Sequence, residues 1–133
     1  MGRGMGLALA AELNGYPGPS HLLELADRLG LSSDQRASIK QLFDAMKAET
    51  VPLGEGLIAK EAELDSAFSK QRVTQTSLTA ATAAIGEQQA ALRNAHLKYH
   101  LLARALLQPS QLSRYTELRG YGYGSESDHA KHH

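Results

Sequence analysis

The chain has 133 residues, with 14 basic and 14 acidic side chains, no cysteine, no tryptophan and two phenylalanines. That length suits one domain, the charge balance removes nucleic acid as a default partner, and the missing thiols exclude disulfides, thiol catalysis and Cys-based zinc sites. Hydrophobic content of 42% with so few aromatics implies a core of Leu and Ala, and no apolar run approaches the ~18 residues needed to span a bilayer.

Residues 1–19 read as a flexible segment. Gly2, Gly4, Gly6, Gly15 and Gly18, with Pro17 and Pro19, leave room for little more than a turn of helix. Arg3 followed by Leu7-Ala8-Leu9-Ala10-Ala11 imitates a signal peptide. Its apolar run of about five residues is shorter than the ~7–15 of such segments, so no signal is expected inside this sequence. A short helix is predicted over about 20–29, started by Pro19-Ser20, with Leu22, Leu25, Ala26 and Leu29 on one face. Gly30 ends it at the position where a left-handed conformation costs least.

Ser32 then caps a long helix, and Gln35 three residues later completes an S-x-x-Q capping box. Ile39, Leu42, Met46, Leu53, Leu57, Leu64 and Phe68 recur at about 3.6 residues per step, with Thr50 and Glu61 filling the gaps. This is one stripe on a helix about 45 Å long. Pro52, softened by Gly54 and Gly56, predicts a kink near 48–51. The stripe resumes in register, which favours one bent helix over two.

Residues 69–75 read as a connection, with Val73-Thr74 leading into a second long helix. Its stripe is Leu78, Ala81, Ile85, Leu92, His96, Tyr99, Leu102 and Leu106. Two such helices joined by a short linker make an antiparallel hairpin. Pro109 suits the first position of a last helix beginning at Gln108, with Leu112, Tyr115 and Leu118 facing inward. From Gly120 onward a polar, glycine-containing tail carrying His129, His132 and His133 is expected to be disordered. The predicted organisation is a flexible segment over 1–19, a helical hairpin domain over 20–119 and a tail over 120–133. The fold class is all-α: a long antiparallel hairpin with short flanking helices. One Leu/Ala stripe per helix leaves too little interior to satisfy itself, so a homodimer is expected.

No catalytic signature is present: no H-E-x-x-H, no G-x-S-x-G, no phosphate-binding loop and no C-x-x-C. Glu55, Glu61, Glu63 and Asp65 read as a solvated helix face, and no enzyme is expected. His96 and His100 stand one turn apart, so both could ligate one metal ion. The plainer reading makes His96 a tolerated stripe residue and His100 a solvated neighbour.

The two helix starts are related. Leu31-Ser32-Ser33-Asp34-Gln35 and Leu107-Gln108-Pro109-Ser110-Gln111 both fit a loose L-[ST]-x-x-Q pattern. The doubled motif, carried by Leu31, Ser32, Gln35, Leu107, Pro109 and Gln111, resembles the LTxxQ signature of the Spy/CpxP family of periplasmic proteins. Leu22-Leu23-Glu24-Leu25-Ala26-Asp27 and Val51-Pro52-Leu53-Gly54-Glu55 are similar to members of the heavy-metal sensor and resistance branch, of the CnrX and ZraP type. The resemblance covers roughly residues 16–120. It implies periplasmic location, a dimeric cradle, and a stress or metal-resistance role exercised by binding. That binding would be ATP-independent holding of unfolded client proteins, divalent metal sensing, or both. A membrane signalling partner is a further implied contact. No cofactor is required, though a divalent transition metal (Zn, Ni, Co or Cu) would suit the histidines. The alternative is a dimeric helical interaction or adaptor protein with neither role.

The sequence departs from this family in two respects. Gln108 stands where Ser or Thr is expected, so the second motif loses its good cap. The nickel/cobalt sensors carry His-x3-His on the first short helix, a Glu on the second, and His-x3-Met before the second motif. Here the first helix offers only His21 with Leu25 a turn later, the Glu position falls on Phe43 beside Asp44, and the last two fall on Tyr99 and Ala103. What remains is a shifted site at His96 and His100, completed by His21, by Asp44 or by a second chain.

Overall fold

A computed structural model describes residues 8–119. Among them the helices are α1 (Leu9–Leu13), α2 (Pro19–Glu24), α3 (Ala26–Leu29), α4 (Ser33–Ser69) and α5 (Gln75–Arg104). A last helix, α6, occupies 109–119. Among the described residues the fold is all-helical, and α4 packs along α5 as an antiparallel hairpin. None of the helices described is long and apolar enough to cross a membrane.

Each long helix starts where its local chemistry dictates. The Ser32 Oγ accepts from the Gln35 N–H at 3.1 Å while the Gln35 Oε1 accepts from the Ser32 N–H at 2.9 Å. Thr74 and Ser77 build the same reciprocal box at the start of α5, at 3.0 and 2.9 Å. Each box satisfies donors that a helix start leaves without partners. The turn between the helices is closed by Gln71, a non-glycine residue at φ 57°.

α4 runs unbroken through Pro52. Proline takes the N–H from the Ala48 carbonyl and weakens the ladder there. α5 braces the weak point: the Gln88 Nε2 donates to the Leu53 carbonyl at 2.9 Å. Gly56 permits that approach, since a Cβ there would stand 2.6 Å from the same nitrogen.

The buried seam differs from the predicted stripes in pitch. On α4 it passes through residues 39, 42, 46, 50, 53, 57, 60, 64 and 67, which is 28 residues in eight steps. On α5 it passes through 78, 81, 85, 88, 92, 95 and 99, which is 21 residues in six steps. Both give 3.5 residues per step, the repeat of helices that wrap around each other with a left-handed twist. A 3.6 stripe drifts off that seam, so Glu61 and Phe68 are exposed. Beyond Tyr99 the buried face turns to His100 and Ala103, leaving Leu102 in solvent.

The core lies at the open end of the hairpin. Leu22, Ala26, Leu29, Leu31, Ile39, Ala103, Leu107 and Tyr115 form one buried cluster there. Toward the turn, Ile85 is the last buried apolar residue among those described. The short helix expected over 20–29 is split at Leu25 (φ −99°, ψ 12°) into α2 and α3, and both halves still face the core. The boundary expected at residue 19 has no counterpart in the packing: Ala8, Pro17, Gly18 and Pro19 are all buried. Two rigid prolines and the Tyr16 ring supply the apolar surface that holds this segment down. Residues 1–7 and the tail over 120–133, with its three histidines, lie outside the described residues.

Candidate functional site

Two polar constructions stand at the open end. The first joins the helix starts. Leu31 and Leu107 are both buried in the core cluster, and the starts of α4 and α6 meet through their glutamines. The Gln35 Nε2 donates to the Gln111 Oε1 at 2.7 Å, and the Gln111 Nε2 donates to the Gln35 Oε1 at 3.0 Å. Each amide also serves its partner's surroundings: Gln35 donates to the Leu106 carbonyl at 3.0 Å, and Gln111 to the Gly30 carbonyl at 3.3 Å. Gly30 makes this possible by taking φ 67°, which a side chain would resist. The cap missing at Gln108 is partly replaced, because the Gln111 Oε1 accepts from the Gln108 N–H at 2.9 Å. The doubled motif is thus a reciprocal clasp that closes the hairpin.

The second construction is a strap. Gly15, at φ 80°, turns the chain out of α1, and residues 15–19 then cross α5. The Tyr16 carbonyl accepts from the His100 Nδ1 at 2.7 Å. Because a carbonyl only accepts, Nδ1 carries the hydrogen and Nε2 holds the lone pair of the neutral ring. Gly18 lies against that ring: a Cβ on it would be 2.8 Å from Cε1 and 2.9 Å from Nε2. The Arg104 guanidinium covers the Tyr16 ring at 4.1 Å. On the other side the Glu12 Oε1 gathers the His21 Nδ1 at 2.7 Å, the Tyr115 hydroxyl at 3.3 Å and the Gly18 N–H at 3.4 Å.

The electrostatics follow from these contacts. The Glu12 hydrogen bond is the main cause that raises the His21 pKa, against burial, which lowers it. Burial pushes the Glu12 carboxyl up, but the His21 hydrogen bond and charge and the Gly18 N–H together hold it below its ordinary value. His96, half-buried one turn before His100, is pushed down first by burial and then by the charge of His100. Farther along the hairpin, the Lys98 Nζ reaches both Glu49 oxygens at 2.7 and 2.9 Å while the Tyr99 hydroxyl donates to Oε1 at 2.8 Å. The Lys98 and Tyr99 bonds hold the Glu49 carboxyl down, and Glu49 raises the pKa of both partners.

The predicted site residues are therefore dispersed. His100 is buried at 5% exposure, where the plainer sequence reading expected a solvated side chain. The apolar residues and strap packed around it supply its cover. His21 is engaged by Glu12, and Asp44 lies exposed beside Lys40 at 2.7 Å. Among the described residues no three His, Cys, Asp or Glu side chains gather as a metal-holding group. The donors nonetheless suit a borderline transition metal. Two imidazoles stand one turn apart, and the ring of His100 is oriented by a carbonyl on Nδ1, as outer-shell partners orient metal-bound histidines. A complete site needs a further ligand. Sequence reasoning passed over Glu12, Tyr16, Gly18, Glu49 and Lys98. The Gly-Tyr-Pro-Gly-Pro run was a readable signal of close backbone approach, whereas nothing local marks the other three.

An all-helical hairpin whose two helix starts share a glutamine clasp defines a class of protein built on a repeated L-x-x-x-Q element. The chain belongs to the heavy-metal resistance family, whose model matches residues 5–114, within the Spy/CpxP-like group. No curated protein and no solved structure matches it. Membership assigns the chain a heavy-metal resistance role.

Proposed function

We propose that the chain is a non-enzymatic, periplasmic resistance protein that works as a homodimer and holds partly unfolded client proteins. The observation that carries this reading is apolar surface left open along a hairpin with little interior. Val51 is 50% exposed, Ile58 57%, Phe68 55% and Leu101 60%. Exposed carboxylates at Glu55, Glu61 and Asp65 lie between them on α4. Apolar side chains interspersed with charge bind many sequences without demanding one. The test is suppression of aggregation of a chemically unfolded client, followed by light scattering without metal. Suppression by the parent that weakens in Ile58→Asp supports the reading. No suppression at stoichiometric excess removes it.

A second reading, metal sensing at His96 and His100, is favoured by the carbonyl-oriented ring of His100. A metal bound there would supply charge that draws the two imidazoles and a further ligand together, while the chain supplies two neutral donors on a rigid helix. Calorimetry compares the full chain carrying alanine at His129, His132 and His133 with the same chain carrying His96→Ala. Undiminished binding in the latter would rule the helix pair out.

A further inference from the structure

The joint between α1 and the strap carries the pair Asn14-Gly15. Gly15, at φ 80°, is the left-handed residue that follows the helix end, and the Tyr16 N–H closes back on the Ala11 carbonyl at 2.9 Å, the wider of the two bonds of a Schellman turn. The companion bond is not made: among the described residues the Gly15 N–H has no acceptor. Asn14 is exposed, and nothing lies within 4 Å of where a Cβ on Gly15 would stand. One contact ties the Asn14 side chain, a bond from its Nδ2 to the Ala10 carbonyl at 2.7 Å. That carbonyl belongs to α1, a five-residue helix with no side-chain cap at its start, too short to hold its own shape in water. An amide carbon therefore precedes, by one residue, a backbone nitrogen that is neither bonded nor crowded.

We propose that Asn14 is a self-modification site, where the chain converts asparagine to aspartate or isoaspartate through a cyclic imide, with water as co-reactant and hydroxide as catalyst. The Gly15 nitrogen gives its proton to hydroxide and attacks the Asn14 Cγ. An N–Cγ bond forms, the Cγ–Nδ2 bond breaks, and the leaving nitrogen takes a proton from water, so ammonia departs and hydroxide is regenerated. Water then opens the five-membered imide. Attack at Cγ breaks the new N–Cγ bond and leaves aspartate in an ordinary backbone. Attack at the Asn14 backbone carbonyl carbon breaks the original peptide bond and leaves isoaspartate, with the chain running through Cβ and Cγ. Both products lose the donor to Ala10 and place a negative charge at the carboxyl end of α1, where the unpaired carbonyls disfavour it. Isoaspartate also adds one methylene inside the span that the Tyr16–Ala11 bond closes. The strap cannot absorb that length, because Pro17 and Pro19 are fully buried. The shift falls on α1, and with it on Glu12, whose carboxylate reaches His21, Tyr115 and Gly18. Modification thus detaches α1 and leaves the strap in place.

The experiment ages the full chain in mildly alkaline buffer and follows it by peptide mass spectrometry, with isoaspartate told from aspartate by electron-based fragmentation. The sequence supplies its own control, because its other asparagine, Asn94, is also exposed but is followed by Ala95 inside the α5 ladder. Conversion at Asn14 should run at least about tenfold faster than at Asn94, where a paired helix amide must open first. Its rate should rise in proportion to hydroxide. Asn14→Gln, whose ring closure would need six members, should lose the conversion at that position. Hydrogen exchange on the aged chain is the second readout: the Tyr16 amide should exchange faster in the isoaspartate form than in the parent, while the core amide of Ile39 stays protected. No conversion at Asn14, or equal rates at the two asparagines, would overturn the site. Conversion with the Tyr16 amide as protected as before would overturn the detachment of α1.

Discussion

Replacing Gln111 with alanine tests whether the glutamine clasp closes the hairpin. The substitution removes the bond to the Gln108 N–H at 2.9 Å and both bonds to Gln35 at 2.7 and 3.0 Å. It also removes the longer bond to the Gly30 carbonyl at 3.3 Å. Both glutamines are half-buried, so each short bond belongs near the lower part of the usual range of about 0.5–1.5 kcal/mol, and together they come to about 2 kcal/mol. Urea unfolding at one fixed protein concentration should show the midpoint falling with an unchanged slope. The melting temperature should drop by about 6–10 °C. The sharper measurement is the double-mutant cycle. Gln35→Ala removes the same two mutual bonds, so the double variant should cost about 1 kcal/mol less than the two singles combined. A loss below about 0.5 kcal/mol in Gln111→Ala, or strict additivity in the cycle, would refute the clasp.

Three further outcomes follow from the same geometry. His21 has a raised pKa, so its contribution is complete below its ordinary value of 6.5 and is lost as pH rises through the raised one. Glu12 has a lowered pKa, so its contribution is complete above 4.5 and is lost as pH falls through the lowered one. The stability difference between the parent and Glu12→Gln should therefore be greatest between about pH 4.5 and 6.5 and shrink on both sides, as urea titrations at several pH values would show. Ile39, with no exposure in the core, should cost about 3 kcal/mol on truncation to alanine. Phe68→Ala near the turn should stay within about 0.5 kcal/mol; equal losses would show that the core extends along the whole hairpin. Ile58→Asp should weaken client holding while leaving the urea midpoint unchanged, and a coupled loss of both would make Ile58 a folding residue instead.

The helix starts were legible because their determinants are local. Ser32 and Gln35 form a box within four residues, and Gly30 and Pro109 punctuate the chain by backbone preference alone. Two apolar stripes separated by a short polar linker gave the hairpin. The repeated Leu and Gln positions pointed to a relation between the helix starts, although the amide-to-amide bond spans 76 residues. The seam was legible only approximately. A stripe judged by itself takes the 3.6 repeat of a straight helix, and it is the partner helix that enforces 3.5. Phe68 was misplaced for that reason, whereas Leu102 was misplaced because the buried face turns after Tyr99 to His100 and Ala103.

What only the tertiary structure decided is the environment of each histidine. The spacing of His96 and His100 put them on neighbouring turns, but their burial depends on what crosses the helix. The strap that covers His100 comes from 84 residues away, and the hydroxyl that reaches Glu12 from 103. A glycine- and proline-rich run composed like a flexible leader became a buried strap because Tyr16, Pro17 and Pro19 found an apolar surface at the open end of the hairpin. Composition measures what a segment can do alone in water. Whether it stays there depends on the surface that the rest of the chain presents to it.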